Sequence, residues 1–132
     1  MFWKRQRKLK LELIHVETAM SGIFCFGREG IEDLTEADSR HLLQGVQSLT
    51  SASIRYQNPW EWELSVDTKF STVPLKKVMH QEMSPYLPCG KKAGEWKRWM
   101  TEVQMLLHQD PLNQKRESLN QKTVNWLWIE FT

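Results

Sequence analysis

The most regular pattern of hydrophobic and polar positions lies between Gly94 and His108. Apolar residues recur there every three or four positions, which is the spacing of one face of an amphipathic helix. They are Trp96, Trp99, Met100, Val103, Leu106 and Leu107. Pro111 disfavours the helical conformation at Asp110, so we predict that this helix ends near Gln109.

A second helix signal begins at Thr35. Its hydroxyl can cap a helix that starts at Glu36, and the acids Glu36 and Asp38 lie where the helix dipole favours negative charge. The predicted apolar face consists of Leu42, Leu43, Val46 and Leu49. Thr50-Ser51 is predicted to close this helix. Shorter helices are predicted for residues 74–80 and 112–119.

Other segments have the patterns of strands. The clearest is 60–66, in which Trp60, Trp62, Leu64 and Val66 alternate with polar residues. This alternation is typical of a half-buried antiparallel strand. Residues 8–17 alternate loosely and allow either a strand or the start of a helix. Further strands are predicted at 23–26, 53–57 and 124–131.

Strands and helices do not alternate regularly along the chain, so the sequence predicts an α+β fold, a mainly antiparallel sheet with helices packed on one face. Residues 1–20 are predicted to be a basic N-terminal segment, either disordered or a peripheral strand. Residues 21–132 are predicted to form a single domain.

Composition narrows the classes of function. The 132 residues carry a formal net charge of +2, and seven of them are Trp. Five of the positive charges cluster near the N-terminus, at Lys4, Arg5, Arg7, Lys8 and Lys10. Nucleic-acid proteins usually spread such charges over a binding face, so the sequence argues against a nucleic-acid partner. An apolar, Trp-rich face instead predicts a protein partner or a homo-oligomer.

Targeting and redox signals are few. Charged residues interrupt every apolar run, so neither an export signal nor a membrane-spanning segment is predicted, and we expect a cytoplasmic protein.

Cys25 and Cys89 are expected to be reduced thiols. Cys89 precedes a predicted helix, so it is either an activated nucleophile or a structural thiol. The four histidines lack the close spacing of a metal site, and no cofactor is predicted for this chain.

Two further patterns each have two interpretations. Residues 89–94 contain two glycines together with Lys91 and Lys92, which suits either an anion-binding loop before a helix or a solvated basic loop. Trp60 and Trp62 could stack nucleic-acid bases, but Glu61 and Glu63 would repel phosphates, which favours packing of the two Trp residues in the core.

Five ordered blocks resemble a known family. They are Thr72–Leu75, Ser84–Gly90, Trp99–Leu107, Asp110–Arg116 and Val124–Trp128. Together they look like the middle region of the archaeal-type cofactor-independent phosphoglycerate mutases. They are also similar to the proteobacterial RpfE-type regulatory proteins, and the Trp- and Gln-Met-rich helix is closer to that group. The resemblance covers roughly residues 30–128, but only the middle of much longer proteins.

In the mutases, the resembling region is an inserted domain that helps to enclose a phosphorylated three-carbon acid. The resemblance therefore implies substrate contacts at Asn113, Arg116 and Asn125, with Lys91 and Lys92 as added basic candidates. Mn²⁺ or Mg²⁺ is implied only for a full-length mutase, because the metals and the nucleophile lie outside this region.

The chain also departs from the family pattern. Asp110 replaces a His in the family's His-Pro-Val-Asn block, and residues 128–132 lack the glycines of its Trp-Leu-Trp-Gly block. We therefore expect a truncated or stand-alone domain that is non-catalytic alone and has a regulatory or interaction role. The alternative is a phosphate-ester-binding part of a metal-dependent mutase that another polypeptide completes.

Overall fold

A computed structural model describes residues 7–67, 71–90 and 93–131. Five strands form an antiparallel sheet within these ranges. They are β1 (Arg7–Ala19), β2 (Gly22–Gly27), β3 (Ser53–Asn58), β4 (Glu61–Val66) and β5 (Trp126–Phe131). The helices are α1 (Glu36–Gln47), α2 (Ala93–Gln109) and α3 (Pro111–Ser118), and single 3₁₀ turns occur at Leu75–Lys77 and Ser84–Tyr86. The predicted α+β class is therefore confirmed.

The central strand is β1, which pairs with β2, β4 and β5. The sequence predicts only a peripheral strand or disorder for residues 1–20, so for residues 7–19 the structure corrects the prediction. Residues 1–6 lie outside the described ranges. A 13-residue strand reaches across two sets of neighbours, because its first half pairs with β4 and β5 and its second half pairs with β2.

One face of the sheet packs against the helices. Leu9, Leu11 and Leu13 of β1 are fully buried there, since successive residues of a strand point to opposite faces. The other members of this core include Trp62 and Leu64 of β4, Leu127 and Ile129 of β5, Leu42 and Val46 of α1, and Met100, Val103 and Leu107 of α2. The alternation predicted for 60–66 and the apolar face predicted for 94–108 are both confirmed.

The opposite face is divided between an apolar and a charged half. Ile14 and Val16 of β1 pack there with Cys25, Trp128 and the segment that contains Leu75, Val78 and Met83. Earlier in the same strand, Lys10 and Glu12 point to this face and face an open cleft. The 3₁₀ turn at Leu75–Lys77 stands where a longer helix is predicted for 74–80, and it forms one wall of the cleft.

The helix ends follow the sequence signals. Thr35 caps α1 by accepting a hydrogen bond from the backbone of Asp38, and the Asp38 carboxylate accepts one from the backbone of Thr35 in return. The helix closes at Ser48, two residues earlier than predicted, because the backbone N–H groups of Ser48 and Leu49 bond back three residues, to the carbonyls of Gly45 and Val46. Asp110 separates α2 from α3, as the proline at 111 predicts.

Candidate functional site

The charged half of the free sheet face is the candidate site. A cleft of 680 Å³ opens there between β1, the end of β2, the 3₁₀ turn at Leu75–Lys77 and β5. The residues that define it are Lys10, Glu12, Arg28, Lys76 and Glu130. We refer to it as the charged cleft. Lys10 and Glu130 are paired positions on β1 and β5, so the sheet register itself brings them together.

Lys10 lies between two carboxylates in the floor of the charged cleft. Its Nζ is 2.9 Å from Glu12 Oε1 and 2.7 Å from Glu130 Oε1. The second oxygen of Glu130 accepts a hydrogen bond of 3.0 Å from the backbone N–H of Leu75, which fixes the wall of the cleft to its floor. Both glutamates are buried, with residue exposures of 6% for Glu12 and 8% for Glu130. Buried charges of this kind require partners, and Lys10 serves both.

Burial and ion pairing act differently on the pKa values of Glu12 and Lys10. Burial raises the pKa of Glu12, and the hydrogen bond from Lys10 offsets only part of that rise. Burial also disfavours the Lys10 ammonium, but its hydrogen bonds to Glu130 and Glu12 outweigh this effect and raise the pKa of Lys10 above its ordinary value. Lys10 therefore stays charged, while Glu12 takes up a proton more readily than an exposed glutamate does.

The rim of the charged cleft adds further charges. Arg28 Nη2 is 2.8 Å from Glu61 Oε1, and its guanidinium lies 5.0 Å from the ring centroid of Trp60. Glu29 is 2.6 Å from His80 Nε2. Among the described residues that line the cleft, the carboxylates Glu12, Glu29, Glu32 and Glu130 outnumber the cations Lys10, Arg28 and Lys76. An approaching cation therefore meets the more favourable potential.

The structure places Asn113 in the interior of the fold. Its Nδ2 donates to the carbonyls of Leu107 at 2.9 Å and Val124 at 2.8 Å, and its Oδ1 accepts from the Val124 backbone N–H at 3.0 Å. The residue is 3% exposed. This side chain thereby joins the end of α2 to the segment that leads into β5.

Arg116 is also committed to internal contacts. It donates to the carbonyls of Lys122 and Gly30 at 2.6 and 3.1 Å, and to both carboxylate oxygens of Asp33 at 3.0 and 2.8 Å. The hydrogen bond from Arg116 lowers the pKa of Asp33. The guanidinium thus ties α3 to the loop that precedes α1.

Asn125 extends the sheet with its side chain. Its Oδ1 accepts from the Val16 backbone N–H at 2.8 Å, and its Nδ2 donates to the Val16 carbonyl at 2.9 Å. Asn113 and Asn125 line the same small recess on the helix side of His15, whereas Arg116 faces Asp33. None of the three is among the described residues that line the charged cleft. Lys91 and Lys92 lie outside the described ranges.

Asp110, which stands where the family has a His, has two structural partners. Its Oδ1 accepts a hydrogen bond of 2.8 Å from the backbone N–H of Leu112 and so caps α3. Both carboxylate oxygens lie 2.9 Å from Nε2 of His41 on α1. A carboxylate at this position therefore connects α1 with the junction of α2 and α3.

Sequence reasoning missed the residues of the charged cleft. The loose alternation of residues 8–17 assigns no role to Lys10 and Glu12, and nothing local reveals that Glu130 lies opposite Lys10. The available signal is the single acid in the apolar run of β5, WLWIEF, because a lone charge in a buried strand requires a partner.

The two cysteine thiols lie in different environments. Cys25 is buried and Cys89 is exposed, and both are free thiols. Burial raises the pKa of the Cys25 thiol, which disfavours the nucleophilic thiolate. Within the ranges that the structure describes, no group of three or more His, Cys, Asp or Glu side chains is placed to hold a metal ion.

None of the described helices is both long and apolar enough to cross a membrane. The described tryptophans are buried or half-buried, and the large apolar side chains exposed in the described ranges are Met20, Met105 and Leu119.

In comparisons with known proteins, the chain matches no family model, no curated protein and no solved structure.

Proposed function

We propose that this chain is a non-catalytic interaction domain, similar to the RpfE-type phosphoglycerate-mutase-like proteins, and that its charged cleft holds an arginine or lysine side chain of a partner protein. The observation that carries the proposal is the Lys10–Glu12–Glu130 cluster, with two buried carboxylates, at the base of an open cleft. Two buried carboxylates around a half-buried lysine contribute less to folding than an apolar trio of the same volume would. A binding role gives a reason for their presence.

The charge balance of the cleft supports a cationic ligand. Lys10 is the only ion-pair partner of Glu12 in the described part of the chain, so the Glu12 carboxylate retains acceptor capacity toward the cleft. Glu32, on the rim, is exposed and accepts one backbone hydrogen bond through Oε1. Carboxylates at the base and at the rim suit a long side chain with a terminal positive charge, because its apolar stem can lie along the wall formed by Pro74 and Met79.

The scaffold contacts support a non-catalytic role. Asn113, Arg116 and Asn125, the positions that match the mutase pattern, use their polar atoms to join segments of the fold. On this proposal, the family blocks survive because they position the sheet and the helices. The charged cleft, formed by β1, the end of β2 and the loop after it, the segment 74–79 and Glu130 of β5, supplies the binding surface.

The test is calorimetric titration with a short, N-acetylated peptide that contains two arginines, in dilute salt and again at about 0.15 M salt, where screening is stronger. Glu12→Gln keeps the shape and removes the charge, and it should weaken binding at least about tenfold, the lower end for a hydrogen bond to a charged group. Glu117→Gln is the matched control, because Glu117 is exposed on α3 and outside the cleft.

Equal losses in Glu12→Gln and Glu117→Gln would reject the charged cleft as the binding site. A peptide with two glutamates in place of the arginines should not bind. Titration with 3-phosphoglycerate tests the alternative, in which this chain forms the phosphate-ester-binding part of a mutase completed by another polypeptide. Saturable binding of that ester without binding of the arginine peptide would favour the alternative, and turnover of it by the purified chain with Mn²⁺ or Mg²⁺ would refute the non-catalytic role.

A further inference from the structure

A second pocket, distinct from the charged cleft, lies between α2 and β5. Trp96 and Met100 of α2 form one wall. The other wall is β5, where Leu127 and Ile129 point toward the helices and where Trp126 and Trp128, whose side chains belong to the other face of the sheet, also line the pocket. Leu87 and Pro88 close one side. Its volume is 230 Å³, and none of the residues that line it belongs to the Lys10–Glu12–Glu130 cluster. We refer to it as the tryptophan pocket.

Several of the walls are fixed in place by other contacts. Trp128 Nε1 donates a hydrogen bond of 2.8 Å to the carbonyl of Val73. The Trp96 ring lies 4.7 Å from the Trp99 ring at an interplanar angle of 52°. Met100 is 4% exposed and supplies a flexible, polarisable surface beside these rings. Flat aromatic walls with restricted motion suit an aromatic ligand, because ring pairs gain from edge-to-face and offset contacts.

The volume limits the size of that ligand. An apolar protein cavity of about 150 Å³ accepts one benzene molecule. The tryptophan pocket is larger than this and smaller than the roughly 300 Å³ at which pockets for drug-sized molecules begin. A ligand with one or two fused rings therefore fits.

The mouth of the tryptophan pocket is polar and carries positive charge. Lys97, Thr101 and Gln104 follow one another along α2 at the spacing of a single helix face. Thr101 Oγ1 donates to the Lys97 carbonyl at 3.1 Å, so that hydroxyl is already oriented. Lys97 is the only charged residue among the described residues that line the pocket, and its side chain is exposed. Its ammonium favours an anionic group at the opening.

We propose that the tryptophan pocket binds an aromatic carboxylate of one or two rings, with the rings between strand β5 and the Trp96 and Met100 side chains of α2, and the carboxylate at Lys97. The pocket gains apolar burial from the rings, while the carboxylate stays near water and beside the ammonium. The pocket has an apolar interior and a charged mouth. An aromatic carboxylate has the same two parts, an apolar ring system and a charged group.

The experiment uses 1-naphthoate as the probe and its neutral analogue 1-naphthalenemethanol as the reference. Binding is measured by calorimetry, and the indole N–H signals in ¹H–¹⁵N spectra report which tryptophans respond. We expect a Kd for 1-naphthoate between about 10 µM and 1 mM, given the usual binding energy per atom of small ligands. Shifts should concentrate on Trp96, Trp126 and Trp128. No saturable binding up to about 5 mM, well above the expected range, would overturn the proposal.

Two variants at exposed positions separate the mouth from the interior. Lys97→Gln should weaken 1-naphthoate roughly two- to fivefold, the effect of one exposed charge pair, and leave the neutral analogue unchanged. Lys115→Gln, an exposed lysine on α3, is the matched control and should change neither. Thr101→Phe places a ring at the opening and should abolish binding of both probes, whereas Glu102→Phe, at the next exposed position of α2, should not.

Circular dichroism checks that each variant is folded. We expect all of them to fold, because the substituted positions are exposed on helices. Equal effects of Lys97→Gln and Lys115→Gln would show that the carboxylate is attracted by net charge alone. Retained binding in Thr101→Phe, with shifts of tryptophans away from the pocket, would place the ligand elsewhere. Either result contradicts the proposal.

Discussion

Replacement of Asn113 by alanine tests whether this residue holds the fold or a ligand. The substitution removes three hydrogen bonds of 2.8 to 3.0 Å. It leaves the carbonyl and the N–H of Val124 without their partner, while the Leu107 carbonyl keeps only the 3.3 Å bond from the Asp110 backbone N–H. Leu107 and Val124 are both fully buried. Solvent therefore reaches these groups poorly, and the lost bonds are not simply exchanged for bonds to water.

Each buried backbone group without a partner costs about 1–3 kcal/mol. Two groups lose their only partner and the Leu107 carbonyl loses its shorter bond at the same site, so these costs do not add fully, and we expect a loss of about 3–5 kcal/mol in the free energy of unfolding. That is a large share of the roughly 5–15 kcal/mol by which domains are stable. For a chain of this size, it corresponds to a fall in Tm of about 10–20 °C.

The assay is urea unfolding followed by far-ultraviolet circular dichroism and by tryptophan fluorescence. Gln114→Ala is the matched control, because Gln114 is exposed and makes a single hydrogen bond to the carbonyl of His108. It should cost less than about 0.5 kcal/mol. A loss below about 1 kcal/mol in Asn113→Ala, combined with lost binding of 3-phosphoglycerate, would refute the structural reasoning and identify Asn113 as a ligand contact.

Three further predictions use the same unfolding measurement. Arg116→Gln should cost about 2–4 kcal/mol. Arg116 lowers the pKa of Asp33, so the part due to that pair is present above the unfolded pKa of about 3.9 and is lost as the pH falls through the folded value. The stability difference between variant and parent should therefore shrink in acid but not vanish, because the bonds to the Lys122 and Gly30 carbonyls do not titrate. Lys10→Met should cost about 2–4 kcal/mol at neutral pH, because two buried carboxylates lose their cation. Burial already raises the pKa of Glu12. The contribution of Glu12 to stability is therefore present below its unfolded pKa of about 4.3 and is lost as the pH rises through the folded value. The loss of unfolding free energy in Lys10→Met should accordingly shrink in acid. Asp110→Ala should cost about 1 kcal/mol through loss of the α3 cap, and an unchanged midpoint would contradict that role.

The elements that the sequence predicts well are those that local spacing determines. The apolar face of α2 follows from its three- and four-residue spacing, and the end of α2 follows from Pro111. The cap of α1 is contained within Thr35 to Asp38. Each of these features depends on residues within one or two helical turns, so neighbouring residues carry the information.

The central strand β1 is less predictable because it serves two cores. Leu9 faces the helices, whereas Ile14 and Val16 face the second core on the other side of the sheet. The buried positions therefore change face along the strand, and the alternation looks irregular. Glu12 and Lys10 add to this effect, since their burial depends on Glu130, which a remote part of the chain supplies.

The candidate site required the same long-range information. A sequence motif does not distinguish an Asn that binds a ligand from one that binds backbone. Asn125 illustrates this, because its partner Val16 is 109 residues away. The charged cleft likewise exists only once β1 and β5 are in register.

The pairing of β1 with β5 has a consequence for the order of folding. The hairpin of β1 and β2 can form early, because its strands are adjacent in the chain. Leu9 pairs with residue 131, so the sheet is completed only after the long intervening chain has closed into a loop. Contacts this distant slow folding, and until they form, the apolar edge of β1 is open to other chains. A ribosome-bound chain released before β5 is synthesised should therefore aggregate through its first strand.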